Sequence, residues 1–194
     1  MNLPNKLTVL RACLVPVFMV VLLLEVIPLK IACLVGAVVF ALTSLTDMLD
    51  GKIARKHNLV TDFGKFMDPL ADKVMVICSL LAIMVRLDYL ADGLVWVTAI
   101  VVFRELAVTS LRLVAAGKAG KVIAAAFLGK LKTVTQIVCI LCMLLEPVIF
   151  PESWTIFSQY HGLSYGTRAA MTVMTLWSGL DYMRKYWAFL DPKK

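Results

Sequence analysis

Apolar residues fill this chain in long runs separated by short polar segments. The runs fall near residues 12–29, 31–49, 73–90, 92–115, 131–150 and 168–187. Each is close to the roughly 20 residues an α-helix needs to cross a bilayer, although the first contains Pro16 and the fourth carries Arg104, Glu105 and Arg112. No linker, repeat or low-complexity tract divides them. The pattern predicts an all-α fold in one domain spanning 1–194, a polytopic membrane bundle of six transmembrane helices.

The polar segments refine this outline. Leu3, Leu7, Leu10 and Leu14 recur at helical spacing, with Lys6 and Arg11 on other faces. That predicts a short N-terminal interfacial amphipathic helix, or equally the polar start of the first span. Asn2-Leu3-Pro4-Asn5 reads as a turn, with Asn5 or Thr8 available as a cap. The second run leads directly into an acidic segment, after which HNLVTDFGK turns the chain with the help of Asn58 and Gly64. Asp68-Pro69 reads as a new helix start with Pro at the first helical position; a helix begun at Gly64 and kinked at Pro69 is the alternative. Residues 104–132 read as a helix bearing REL and LRL, then a Gly/Ala/Lys-rich turn, then GKLKTVTQ opening the fifth span. The 151–167 segment is a polar-aromatic loop with no recognisable chemistry.

Composition agrees with the membrane reading. The 194 residues are 61% hydrophobic with mean hydropathy +0.87, against roughly 45–50% apolar in soluble domains. The net charge is +7, and its distribution speaks against a nucleic-acid partner. Of the 20 Lys and Arg, all but Lys30, Arg86 and Arg168 fall in the N-terminus, 51–73, 104–132 and the C-terminus. Basic residues accumulate on the cytoplasmic side of a membrane protein, so both termini are expected there, in a multi-pass protein of the plasma (inner) membrane. The five cysteines all lie inside the expected spans. Cys139 and Cys142 form a C-x-x-C in an apolar helix without a second pair or a nearby histidine, and read as packing residues. The N-terminal apolar stretch has no small-residue cleavage site, so a removable signal peptide is not expected.

The chemistry concentrates in DMLDGKIARKHNLVTDFGKFMDPLAD, residues 47–72. Asp47 and Asp50 share one helical face, and Asp68 and Asp72 share another. Two helices meeting at those faces bring four carboxylates around a space for one or two hard cations. Carboxylates beside hydrocarbon are costly without compensating charge, and an all-oxygen donor set favours Mg²⁺ or Mn²⁺ over zinc or copper. Gly51 removes a side chain where a ligand would approach, Ala54 keeps the next turn clear, and Arg55 offers a planar fork to a phosphate. A charged collar pairing the aspartates with Lys52, Arg55, Lys65 and Lys73 would not need Gly and Ala at that spacing. His57, inside the segment, reads as a solvated loop residue.

The full pattern D-x-x-D-G-x-x-A-R-x₈-G-x-x-x-D-x-x-x-D, carried by Asp47, Asp50, Gly51, Ala54, Arg55, Gly64, Asp68 and Asp72, resembles that of the CDP-alcohol phosphotransferases. These are integral membrane enzymes with six spans. NLPNKLTVLR at the start, R-E with a downstream Arg at 104–112, and GKLKTVTQ at 129–136 look like the branch that uses glycerol phosphate, so the resemblance covers essentially the whole chain. It implies that CDP-diacylglycerol and sn-glycerol 3-phosphate give phosphatidylglycerophosphate and CMP, and that the protein is a homodimer. It further implies that Asp47, Asp50, Asp68 and Asp72 hold two divalent metals, that Asp72 is also the general base, and that Gly51, Ala54 and Arg55 line the CDP site. The dianionic glycerol phosphate should then bind where cations converge. Arg104 and Arg112, eight apart and so on one helical face, with Lys130 and Lys132 and with Thr8 or Arg11, are the candidates, whereas Lys118 and Lys121 read as membrane anchors.

Competing readings are weaker. Synthases that accept serine or inositol need no phosphate pocket, while an inositol-phosphate acceptor would need a similar one. An intramembrane prenyltransferase places its two aspartate motifs far apart in a longer chain. A divalent-cation transporter would want its carboxylates near the bilayer midplane and would leave Gly51, Ala54 and Arg55 unexplained.

Overall fold

The computed structural model describes residues 3–56, 61–119, 127–150 and 160–187; the side chains of residues 3, 4, 48–56, 62, 65, 116, 118 and 119 also fall outside that description. Among the described residues, six α-helices follow in order: α1 Leu3–Leu23, α2 Leu29–Lys56, α3 Asp62–Arg86, α4 Asp88–Ala119, α5 Phe127–Ile149 and α6 Gly162–Tyr186. There is no strand among the described residues.

Side-chain contacts fix how the helices run. Thr8 and Arg11 near the start of α1 reach Asp47 late in α2 and Asp68 and Asp72 early in α3. Arg104 and Arg112, late in α4, reach Ser178 and Tyr182, late in α6, while Lys132 at the start of α5 reaches Glu105. At the opposite end, Arg86 donates to the Ile27 carbonyl, Tyr165 to that of Tyr89, and Arg168 to that of Leu90. The helices therefore alternate in direction. The start of α1, the end of α2, the start of α3, the end of α4, the start of α5 and the end of α6 share one end of the bundle, which is the grouping of polar segments expected from the charge distribution.

Helix α3 touches α1, α4 and α5, and α5 touches α2, α3 and α6, so these two hold the bundle together. Phe18, Leu22, Phe40, Leu80, Ile83, Leu90, Leu94, Ile140, Met143 and Leu144 form the core. The outer faces are also apolar. Leu34, Val38, Leu42 and Leu45 make an exposed stripe on α2, Trp96, Phe103 and Leu106 another on α4, and Val173, Leu176 and Leu180 a third on α6. A chain apolar inside and outside is suited to hydrocarbon rather than water.

Four stretches are long and apolar enough to cross a bilayer: Asn5–Leu23, Leu29–Asp47, Asp88–Ala115 and Phe127–Ile149. Helices α3 and α6, which coincide with the third and sixth expected spans, do not reach that measure among the described residues. The reason is compositional: α3 devotes its first turns to charged motif residues, and α6 buries Ser164, Thr175 and Ser178 against its neighbours.

Several local expectations need correction. The amphipathic N-terminal segment is not a separate helix; α1 runs unbroken from Leu3 to Leu23 and includes Pro16. Asn5 and Thr8 lie inside α1 and bond to α3 and its cap instead of capping α1. Helix α3 starts at Asp62, near the alternative start at Gly64 and not at Asp68-Pro69, because the Thr61 hydroxyl accepts the N–H of Gly64 and so caps the helix before Pro69. Pro69 is therefore an interior residue, where its ring removes one backbone hydrogen bond. REL and LRL lie in the fourth span's own helix, as the apolar run carrying Arg104, Glu105 and Arg112 implied; α4 runs 32 residues, roughly 48 Å at 1.5 Å per residue, and outreaches the hydrocarbon layer. Finally, the loop expected at 151–167 is helical from Gly162. The buried Glu146 of α5 accepts the N–H groups of Leu163 and Ser164 at 2.9 and 3.0 Å, satisfying the first turn of α6 in the absence of a local side-chain cap.

Candidate active site

The acidic residues sit where α1, α2 and α3 meet. One nitrogen of Arg11, Nη1, lies 2.7 Å from Oδ1 of Asp47 and 2.6 Å from Oδ1 of Asp72. The Arg11 side chain is 1% exposed, whereas those of Asp47 and Asp72 are 41% and 46% exposed. The cation is thus the inner member and the carboxylates face outward. Thr8 donates from Oγ1 to Oδ1 of Asp68 at 2.5 Å. Around them, Thr61 donates to Oδ1 of Asn5 at 2.9 Å, tying the cap of α3 to α1. Gly64 lies under this contact: a Cβ there would come within 3.2 Å of Asn5 Oδ1 and 3.4 Å of Thr61 Oγ1. A side chain here would press on the Asn5–Thr61 contact that joins α1 to the cap of α3.

Thr8 and Arg11, expected among the glycerol-phosphate ligands, are placed with the aspartates. The helical backbone of α2 continues through Asp50, Gly51, Ala54 and Arg55 to Lys56, but their side chains, and His57 entirely, lie outside the described residues. Among the described residues no three acidic, histidine or cysteine side chains gather closely enough to hold a metal ion by themselves. The donor chemistry nevertheless suits one. Asp47, Asp68 and Asp72 offer only hard oxygens. Asp72 lies just before the apolar part of α3 and is crowded by protein on the sides away from solvent. That loss of hydration first, and the Asp47 charge second, push its pKa up to about 7 against the opposing pull of Arg11.

A second cluster lies across α3. A cavity of about 250 Å³ is bounded by α3, α4 and α5 and lined by Asp72, Lys73, Arg104, Glu105, Arg112, Lys130 and Lys132, among others. Asp72 is the member common to both clusters. Glu105, 12% exposed, receives Arg104 Nη1 at 3.0 Å and also the Lys132 ammonium. Arg104 Nη2 donates to Ser178 Oγ, and Arg112 Nη2 donates to the Tyr182 hydroxyl. Four of the six residues expected to bind glycerol phosphate, Arg104, Arg112, Lys130 and Lys132, therefore border one space together with Asp72. With at least four cations against Glu105 and Asp72, this space suits a dianion.

Sequence reasoning did not assign Asn5, Thr61, Ser178 or Tyr182 to the site. Asn5 and Thr61 are ordinary turn and cap residues in sequence, and nothing in a single chain links positions 56 residues apart. Ser178 and Tyr182, one helical turn apart on the least hydrophobic of the six helices, were the available signal. Buried polar side chains in a membrane helix mark an interior face.

Comparison with known proteins gives a family match and close relatives. The family model of CDP-alcohol phosphatidyltransferase matches residues 1–182. A Bacillus subtilis protein named CDP-diacylglycerol–glycerol-3-phosphate 3-phosphatidyltransferase is 43% identical, with 97% of each chain covered. Proteins of the same name from Salmonella paratyphi A and Pseudomonas fluorescens are 36% and 33% identical, covering 94% and 98% of this chain and 93% and 92% of their own.

Proposed function

From a chain that belongs to the CDP-alcohol phosphatidyltransferase family, we infer an enzyme that transfers the phosphatidyl group of CDP-diacylglycerol to sn-glycerol 3-phosphate, giving phosphatidylglycerophosphate and CMP. The observation that carries this reading is Asp72 lining the same cavity as Arg104, Arg112, Lys130 and Lys132. A base and an anion pocket so placed let one acceptor molecule anchor its phosphate among the cations while its hydroxyl meets the carboxylate. The relatives' names support the same acceptor.

In this reading Asp72 takes the proton from the acceptor hydroxyl. The oxygen then attacks the phosphorus that carries the diacylglycerol, and the pyrophosphate bond to CMP breaks. Arg11 keeps Asp47 and Asp72 together, and Thr8 orients Asp68 through its hydrogen bond. Gly51, Ala54 and Arg55, in the last turns of α2, line the CDP site. Asp47, Asp50, Asp68 and Asp72 would hold two divalent ions, Mg²⁺ or Mn²⁺, which when bound would neutralise the pyrophosphate and stabilise the departing CMP. Arg104, Arg112, Lys130 and Lys132 bind the glycerol phosphate. Serine or free inositol would bring no phosphate dianion to these four cations, of which, among the described residues, only Arg104 and Lys132 are paired with Glu105.

We place six helices across the plasma membrane, with the first turns of α1 in the interface and the termini and site on the cytoplasmic face. The concentration of basic residues at the site end supports that orientation. A homodimer, suggested by the family likeness, completes this reading.

Purified protein in detergent should convert CDP-diacylglycerol and glycerol 3-phosphate to phosphatidylglycerophosphate and CMP in equal amounts, identified by mass spectrometry. Chelation should stop the reaction, and Mg²⁺ or Mn²⁺ should restore it. Full turnover in excess chelator would remove the metals from the account, and absence of the lipid product with both metals supplied would remove the reaction.

A further inference from the structure

Arg104 and Arg112 stand eight residues apart on α4, about 12 Å along its axis, and both carry long side chains with like charge. Left alone they would spread toward separate anions at the membrane surface. In the structure they converge on one residue of another helix. Tyr182 of α6 is 0% exposed, and the Arg104 and Arg112 guanidinium carbons lie 5.6 and 5.0 Å from its ring centroid. Its hydroxyl accepts from Arg112 Nη2 at 2.5 Å. One turn earlier, Ser178, also 0% exposed, accepts from Arg104 Nη2. Between them, Gly179 makes room for the Arg104 stem, since a Cβ there would come within 3.2 Å of Arg104 Cγ. The ring is in turn closed in by α5, where Gly129 faces its hydroxyl and edge at Cβ distances of 3.5 and 3.6 Å.

We propose that Tyr182, with Ser178, is the positioning residue that sets acceptor specificity by holding Arg104 and Arg112 as a paired receptor for a monoester phosphate dianion. The ring face attracts both cations and so offsets their mutual repulsion. The two hydroxyls fix which guanidinium edge is turned away from the cavity. The ordering of two flexible side chains is thereby accomplished in the folded protein before the acceptor arrives, and the acceptor binds more tightly for it. This role rests on the pocket reading given above and adds to it: Tyr182 neither reacts nor lines the cavity, and acts only through the arginines.

The test uses the full chain with Tyr182→Phe, which keeps the ring and loses the hydroxyl, and Tyr182→Leu, which loses both. Initial rates give KM for glycerol 3-phosphate and for CDP-diacylglycerol separately. Tyr182→Leu should raise the KM for glycerol 3-phosphate by about tenfold, as loss of cation–π and hydrogen-bond support to two ligands implies. The KM for CDP-diacylglycerol should stay within about twofold. Tyr182→Phe should fall between wild type and Leu, a graded and acceptor-selective order that a purely structural role would not produce. Should the Leu variant not fold, the Phe variant decides alone, by a selective rise of about threefold for one lost hydrogen bond. Equal rises in both KM values, or no rise for glycerol 3-phosphate, would overturn the proposal. Arg112→Ala separates the two levels: if it raises the acceptor KM while the Tyr182 variants do not, the positioning role falls and the pocket stands. If Arg112→Ala leaves that KM unchanged, both fall.

Discussion

Asp72→Asn should yield a folded protein that binds CDP-diacylglycerol but turns over about two to four orders of magnitude more slowly, the usual contribution of a positioned general base. The substitution keeps the shape of the side chain and an oxygen able to accept from Arg11, which retains its contact with Asp47. It also removes a carboxylate charge that burial first, and the neighbouring Asp47 second, disfavour. Folding should therefore survive. What the amide cannot do is take a proton from the acceptor hydroxyl. Thermal unfolding, binding of the lipid substrate and CMP release, measured on one preparation, separate these effects. A near-normal rate would remove Asp72 as the base.

Lys132→Ala should raise the KM for glycerol 3-phosphate by about 10- to 100-fold and leave that for CDP-diacylglycerol nearly unchanged. A hydrogen bond to a charged group contributes roughly 1.5–3 kcal/mol, and each 1.4 kcal/mol is tenfold in affinity. Two losses act in the same direction. The incoming phosphate loses a cation, and Glu105, now paired only with Arg104, presents more uncompensated negative charge to it. Steady-state kinetics with each substrate varied in turn checks this. Equal effects on both substrates would move the phosphate pocket elsewhere.

How far the sequence reached can be judged from these same residues. The run lengths predicted six helices and the charge distribution grouped their ends correctly, because hydrophobic burial and helix length are local properties. The start of α3 stayed open between Gly64 and Asp68-Pro69 because Pro69 is a strong local signal, while the competing one, Thr61 capping Gly64, depends on Asn5 of α1 holding Thr61 in place. Arg104, Arg112, Lys130 and Lys132 were legible as a cluster because cations in or beside apolar runs are rare enough to need a reason. Arg11 was legible as a candidate phosphate ligand but not as the partner of Asp47 and Asp72, since those pairings join positions 36 and 61 residues apart. Tyr182, one turn from Ser178, could mark an interior face of α6, but only the packing of α6 against α4 reveals what it supports.

The central claim is that the cavity beside Asp72 is built for an acceptor carrying a phosphate dianion, and an acceptor panel tests it most directly. CMP release from CDP-diacylglycerol is followed with glycerol 3-phosphate, serine, free inositol and inositol phosphate, each at the same concentration and with Mg²⁺ or Mn²⁺ present. A site built to bind a polar group of its substrate rejects analogues lacking that group by orders of magnitude. The account predicts rapid release with glycerol 3-phosphate and essentially none with serine or inositol. Equal turnover with serine or free inositol would contradict it.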